Sequence, residues 1–214
     1  MNKYTIRINE NEFFTAANEE ILKVVSKSIS FAISKTRPTF VKEIKNALRQ
    51  DIVYLELSNK IDGILYYDVG LANAGQVAEQ IVELVSNSIQ LRKLPAIRGD
   101  LGGIGLTVLK DGLQPILSLP MGSYQSKGGK VDWLDWLLTA GTSEVISGYR
   151  VMYGFFDTSR TGQAIMVKSK TKGFSIDPDY AGTENDNWIT RSLTRVEGNI
   201  SNLFQKVIKE YINT

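Results

Sequence analysis

The sequence predicts an α+β fold, an antiparallel or mixed β-sheet packed against amphipathic N-terminal, middle and C-terminal helices. Three observations carry that prediction. Apolar residues recur at helical spacing over 11–49, 76–89 and 184–211. Between the last two, short runs rich in Val, Ile, Tyr and Phe are separated by polar, glycine-containing turns. The stretch 131–169 then joins a helix, a strand, a turn and a strand by short connections, and elements so close in sequence usually pack as neighbours.

That stretch is the expected organising unit. Trp133, Leu134, Trp136, Leu137 and Leu138 give a wide apolar face, with Asp132 and Asp135 near the helix start where negative charge suits the dipole. Gly141 is placed to stop the helix. Strand-like runs follow at Val145 to Phe156 and Ala164 to Val167, joined by the hairpin connection Asp157 to Gly162.

In chain order, Tyr4 to Ile8 suggests a small first strand. Phe13, Phe14, Ala17, Ile21, Val24, Val25, Ile29 and Ala32 mark a helix up to about Ser34, and Pro38 is expected to interrupt it. A second helix with Phe40, Val41, Ile44, Ala47 and Leu48 on its buried stripe would reach Arg49, with Pro38 near its first turn. Asp51 to Leu57 reads as a strand or as an extension of that helix, with Glu56 alternating only partly. Gly63 precedes a short apolar run, Ile64 to Tyr67. Gln76 to Ile89 is a firmer helix, with Gly75 as a weak cap. Gly99 to Gly105 reads as a turn or loop. Leu106 to Leu109 and Leu113 to Leu119 are expected to pair across Asp111-Gly112, with Pro115 and Pro120 keeping the second strand short or at an edge. Phe174 and Ile176 suggest a third strand ended by Pro178. The last helix is expected from Glu184 to Tyr211, capped by Thr183 or Asn185 and weakened at Gly198 by about 1 kcal/mol relative to Ala. The chain reads as one domain over 1–214, with a candidate flexible loop at 121–130.

Composition narrows the function classes. With 214 residues, 43% of them hydrophobic, a sizeable core is within reach. Cysteine is absent, which excludes disulfides and thiol chemistry, and histidine is absent, which removes the usual neutral-pH base and the commonest transition-metal ligand. The formal charge of +2 is nearly balanced and does not by itself argue for nucleic acid. Neither a signal peptide nor a membrane helix is apparent, so a soluble intracellular protein is the expectation.

Candidate chemistry is sparse. The glycines 99, 102, 103 and 105 match neither phosphate-loop spacing. Asp177-x-Asp179-x-x-Gly182 resembles the opening of a calcium loop, yet Ala181 and Trp188 stand where ligands are required. Glu184 and Asp186 could complete another oxygen site, or simply lie in the first turn of a helix. Asp132 with Asp135, and Ser126 with Lys127, lack a supporting shell. Arg160-Thr161-Gly162 is either a plain turn or a hook for a partner's carboxylate or backbone. Lys168, Lys170 and Lys172 would share one strand face, either as a solvated edge or as the lining of a channel holding DNA. Most of Tyr149, Tyr153, Phe155, Trp133 and Trp136 should be core. An excess of them on one exposed surface would mark a subunit interface.

The run Val131 to Thr142, the segment Ser159 to Met166, and the stretch Gly173 to Thr190 resemble virion proteins of tailed bacteriophages, of the neck or tail-completion group. Trp133, Trp136, Leu137, Gly141, Arg160, Thr161, Gly162 and Ala164 carry the resemblance. It implies a structural component at the neck or upper tail, assembled in the host cytoplasm, forming a homo-oligomeric ring around a DNA channel. Its partners would be other copies of itself and neck, portal-side or tail proteins, with non-specific DNA contact, no membrane, no cofactor and no bound metal. Trp133, Trp136, Arg160, Thr161 and Gly162 become the expected partner-binding residues, and no catalytic residue is carried over. A monomeric or dimeric protein-binding adaptor remains an alternative, as does a metal-dependent hydrolase built on Asp177, Asp179, Glu184 and Asp186.

Overall fold

The computed structural model describes residues 10–59, 61, 64–95, 103–126, 129–171 and 173–212. The fold is α+β, with N-terminal, middle and C-terminal helices and small antiparallel sheets. The expected first strand, Tyr4 to Ile8, lies outside the described residues, as do Gly63, Gly99, Gly102, Lys127 and Lys172.

The elements are α1 (Glu10–Arg49), α2 (Ile52–Leu57), α3 (Leu65–Val69), α4 (Ala74–Asn87), β1 (Gln90–Leu94), β2 (Gly103–Thr107), α5 (Gln114–Leu117), β3 (Tyr124–Ser126), β4 (Gly129–Val131), α6 (Trp133–Thr139), β5 (Tyr149–Tyr153), β6 (Ala164–Lys168) and α7 (Trp188–Ile212). The strands form two-stranded antiparallel sheets, β1–β2, β3–β4 and β5–β6. The chain divides into two compact units, one of Met1–Phe40, Gln90–Thr107 and Asn199–Thr214, the other of Val41–Ile89 and Val108–Gly198.

In the first unit, α7 covers part of α1. Phe31 lies against Tyr211 with ring centroids 4.9 Å apart, and Phe40 meets Phe204 edge-on at 4.4 Å. These pairings make the two helices antiparallel. Ser28, Ile29, Ala32, Thr36 and Phe40 form the buried seam of α1.

The second unit holds the larger core. Leu48, Leu57, Leu65, Ile81, Trp133 and Trp188 are fully buried within it. Asp51 caps α2, its Oδ1 accepting from Val53 N at 3.0 Å, and its other oxygen pairs with Arg195 of α7. Lys45 Nζ donates to both oxygens of Glu83 at 2.6 and 2.7 Å, and Arg49 Nε reaches Glu79 at 3.2 Å, tying α1 to α4. Gly75 is inside α4, not its cap: an added Cβ would come within 3.0 Å of Ser58 Cα, so the close approach of the α2 end requires glycine.

Four expectations about individual elements are corrected. Pro38 does not interrupt α1, a single helix of 40 residues. The seam Ala32, Thr36, Phe40, Ile44, Leu48 stays buried on both sides of the proline, and tertiary packing outweighs the lost hydrogen bond. Asp51 to Leu57 is a separate capped helix, neither strand nor extension. The hairpin across Asp111-Gly112 does not form. Leu106 pairs with Leu91 of β1, while Leu113 and Ile116 bury one side of α5 and Pro115 sits in its first turn, where no N–H is needed. The third strand reduces to a single bridge between Ile146 and Phe174. An Asx turn at Asp177 follows at once, its Oδ1 accepting from Asp179 N at 3.0 Å.

α7 starts at Trp188, so Glu184 and Asp186 precede it. Its cap is Asn187, whose Oδ1 accepts from Ile189 N at 3.1 Å and Thr190 N at 3.2 Å. Thr190 Oγ1 accepts from Asn187 N at 2.9 Å in return, the reciprocal pattern of a capping box. Within 121–130, Tyr124 to Ser126 pair with Gly129 to Val131.

Candidate functional site

The most distinctive surface of the second unit is the β5–β6 hairpin. Its register sets Tyr149 opposite Lys168, Val151 opposite Met166 and Tyr153 opposite Ala164 on one face; Arg150 faces Val167 and Met152 faces Ile165 on the other. The ribbon pairs with no third strand among the described residues. Large apolar side chains nonetheless stand in solvent: Tyr149, Met152, Met166, Tyr153 at 49% exposure and Phe155 at 90%. The expectation that the aromatics of this region are mostly core is therefore corrected for Tyr149, Tyr153 and Phe155. Trp133 is buried at 1% and Trp136 is half-buried against Phe174. The cause is topological. A two-stranded ribbon has two faces, and a body that covers one end of one face leaves the rest in water.

Two contacts hold the hairpin in place. Tyr153 OH donates to Asp68 Oδ1 of α3. Burial pushes the Asp68 carboxyl up to about 6, opposed by the Tyr153 hydrogen bond and aided by the nearby negative charges of Asp177 and Glu56. At the tip, Arg160 Nη2 donates to Gln125 O at 3.0 Å and its guanidinium lies 4.2 Å from the centre of the Tyr124 ring. Tyr124 OH in turn donates to Val69 O at 2.9 Å. Thr161 is half-buried beside Ser159, their hydroxyls 3.3 Å apart, and Gly162 adopts φ +78°, closing the turn with its carbonyl accepting from Phe156 N at 3.1 Å.

Next to this anchor sits a buried carboxylate. Glu56 Oε2 accepts from Leu65 N and Oε1 from Tyr180 OH, each at 3.1 Å, which joins α2, the start of α3 and the segment before α7. Burial first, then the Glu56 charge and hydrogen bond, push the Tyr180 hydroxyl up to about 12.

The structure separates the other predicted site residues. Trp133 Nε1 donates to Met121 O at 2.8 Å. Lys168 and Lys170 are exposed. Asp177 is occupied by its Asx turn, and Asp186 pairs with Arg191 at 3.4 Å. Among the described residues, no group of three or more Asp or Glu is spaced to hold a metal ion. No described helix is long and apolar enough to cross a membrane.

Comparison with known protein families, curated proteins and solved structures finds no match.

Sequence reasoning missed the Tyr153–Asp68 and Glu56–Tyr180 pairs. The only signal for the second was Glu56 itself, a carboxylate set between Leu55 and Leu57 in an otherwise apolar run. Phe155 gave none, because an aromatic residue in a Val/Tyr/Phe-rich strand reads as core.

Proposed function

We propose that the chain is a structural component of a tailed-phage virion, at the neck or upper tail, where copies assemble into a ring around the DNA channel. The observation that carries this reading is the exposed aromatic ribbon. Phe155 is almost wholly in solvent, and Tyr149, Met152, Tyr153 and Met166 stand with it on a hairpin pinned at Asp68 and Tyr124. Aromatic and methionine side chains of this kind are concentrated at the centres of protein interfaces, and a contiguous apolar patch on a rigid support marks a surface made to be covered. The resemblance of Val131 to Thr142 and Ser159 to Met166 to neck and tail-completion proteins supports the choice of partner class.

In this reading the work is mechanical. Closed rings use heterologous contacts, in which two different surfaces of the chain meet. The pinned hairpin offers one of them, and Trp133, buried under the β3–β4 hairpin, makes its base rigid.

Light scattering with mass determination on the purified full chain, together with electron microscopy of the species found, tests the proposal. Particles with rotational symmetry and an open centre support it. A chain that stays monomeric at high concentration, and that electron microscopy fails to find in any phage particle, overturns it.

A further inference from the structure

We infer that the N-terminal arm of α1 from one copy packs on the Tyr149–Met166–Lys168 face of the β5–β6 hairpin of the next copy. This rests on the ring reading and identifies the two surfaces of its contact.

The arm is the second exposed apolar surface of the molecule. From Asn18 to Val24 every residue of α1 is exposed, so the helix has no packed face over these turns. The pairing of Phe31 with Tyr211 places this stretch beyond the described end of α7. Ile21, Leu22 and Val24 are nevertheless apolar and exposed. They prolong the seam that Ser28, Ile29 and Ala32 bury one and two turns later. A helix draws most of its stability from a packed amphipathic face, and here that face is uncovered.

Charge selects the occupant. α1 carries Glu10, Glu12, Glu19 and Glu20 before its first lysine, Lys23. The hairpin face carries Lys168 beside Tyr149, with Lys170 following, and no carboxylate of β5 or β6 shares it. An acidic apolar helix and a basic apolar ribbon are complementary, whereas two hairpins or two acidic arm ends would bring like charges together, at a cost of several kcal/mol. The contact joins two different surfaces, as a closed ring requires. It also assigns Lys168 and Lys170 to a neighbouring copy's carboxylates rather than to DNA.

The test is charge reversal in the full chain, read as the dissociation constant of self-association by sedimentation velocity. Lys168→Glu with Lys170→Glu should weaken association by about tenfold or more, and so should Glu19→Lys with Glu20→Lys, since each converts attraction into repulsion. Combining all four should restore association to within about threefold of the starting protein. Arg150→Glu, on the opposite hairpin face, should have little effect. Far-ultraviolet circular dichroism identifies any variant that has lost its fold, and Phe155→Ser then serves as a second, uncharged probe of the same face, expected to weaken association. Assembly unchanged in both reversed variants overturns the contact and leaves the ring reading standing, as does loss of duplex DNA binding in Lys168→Glu with assembly intact. Two reversed variants that weaken association without mutual rescue overturn the pairing. A starting protein that is monomeric at every concentration overturns both.

Discussion

The indole N–H of Trp133 donates to the carbonyl of Met121 at 2.8 Å, across a connection of a few residues that includes the β3–β4 hairpin. The other fully buried tryptophan of this unit, Trp188, has an indole N–H that meets no acceptor among the described residues. Two side chains of equal size and burial thus differ in one hydrogen bond, and that difference can be measured. Trp133→Phe loses packing and leaves a buried carbonyl without its donor, for a cost of about 2–4 kcal/mol. Trp188→Phe loses packing but removes an unsatisfied donor, so its cost should be smaller by about 1–2 kcal/mol. Urea unfolding of both variants checks the order. Equal costs would show that the hydrogen bond contributes nothing.

Asp51 performs two tasks at once. Its Oδ1 caps α2 through Val53 N, and its Oδ2 pairs with Arg195 on α7. Asparagine is as good a cap as aspartate but carries no charge. Asp51→Asn should therefore cost less than about 1 kcal/mol, since Arg195 is half in solvent, while Asp51→Ala should cost about 2 kcal/mol. Denaturant midpoints separate the two.

Asp68 makes stability depend on pH in a defined direction. Its carboxyl is raised from 3.8 to about 6, chiefly by burial. The folded state therefore holds this proton more tightly than the unfolded chain does. The destabilising contribution is absent below the unfolded value, grows as pH rises between about 4 and 6, and is complete above that. Asp68→Asn should raise Tm at pH 7 and leave it nearly unchanged at pH 4. Scanning calorimetry at the two values reads this, and an equal shift at both would remove the carboxyl's titration as the cause.

Gly182 occupies a site with no room for a side chain. Its carbonyl accepts from Gly141 N at 2.8 Å, fastening the end of α6 to the segment ahead of α7. A Cβ there would stand 2.5 Å from Asn187 Cβ and 3.0 Å from Leu137 O. Asn187 is the α7 cap, so it cannot yield freely. Gly182→Ala should cost about 1–3 kcal/mol. Gly112→Ala meets nothing within 4 Å and strains only its positive φ, so it serves as the comparison in thermal melts.

The helices were legible because their apolar spacing is local. Gln76 to Ile89 anticipated α4 to within two residues, and Trp133 to Leu138 anticipated α6, since residues three and four apart report their shared face directly. The β5–β6 hairpin was legible for the same reason, from two apolar runs about a polar turn. Pro38 and Asp111-Gly112 misled because both are local signals overruled from a distance. The α1 seam is buried continuously past the proline, and Leu106 found its partner in β1 rather than across the nearby turn.

Sequence by itself determined the α+β class, the order of the main elements, and the exclusion of thiol and imidazole chemistry. Only tertiary structure decided which apolar residues stay in water. Ile21 and Ile29 are alike in sequence, as are Phe155 and Phe174, yet the first of each pair is exposed and the second buried. Periodicity records which side chains share a face, but whether anything covers that face depends on residues far along the chain. The same holds for Glu56 and Tyr180, 124 positions apart and 3.1 Å from donor to acceptor, because a buried carboxylate is stable only beside donors that folding brings to it.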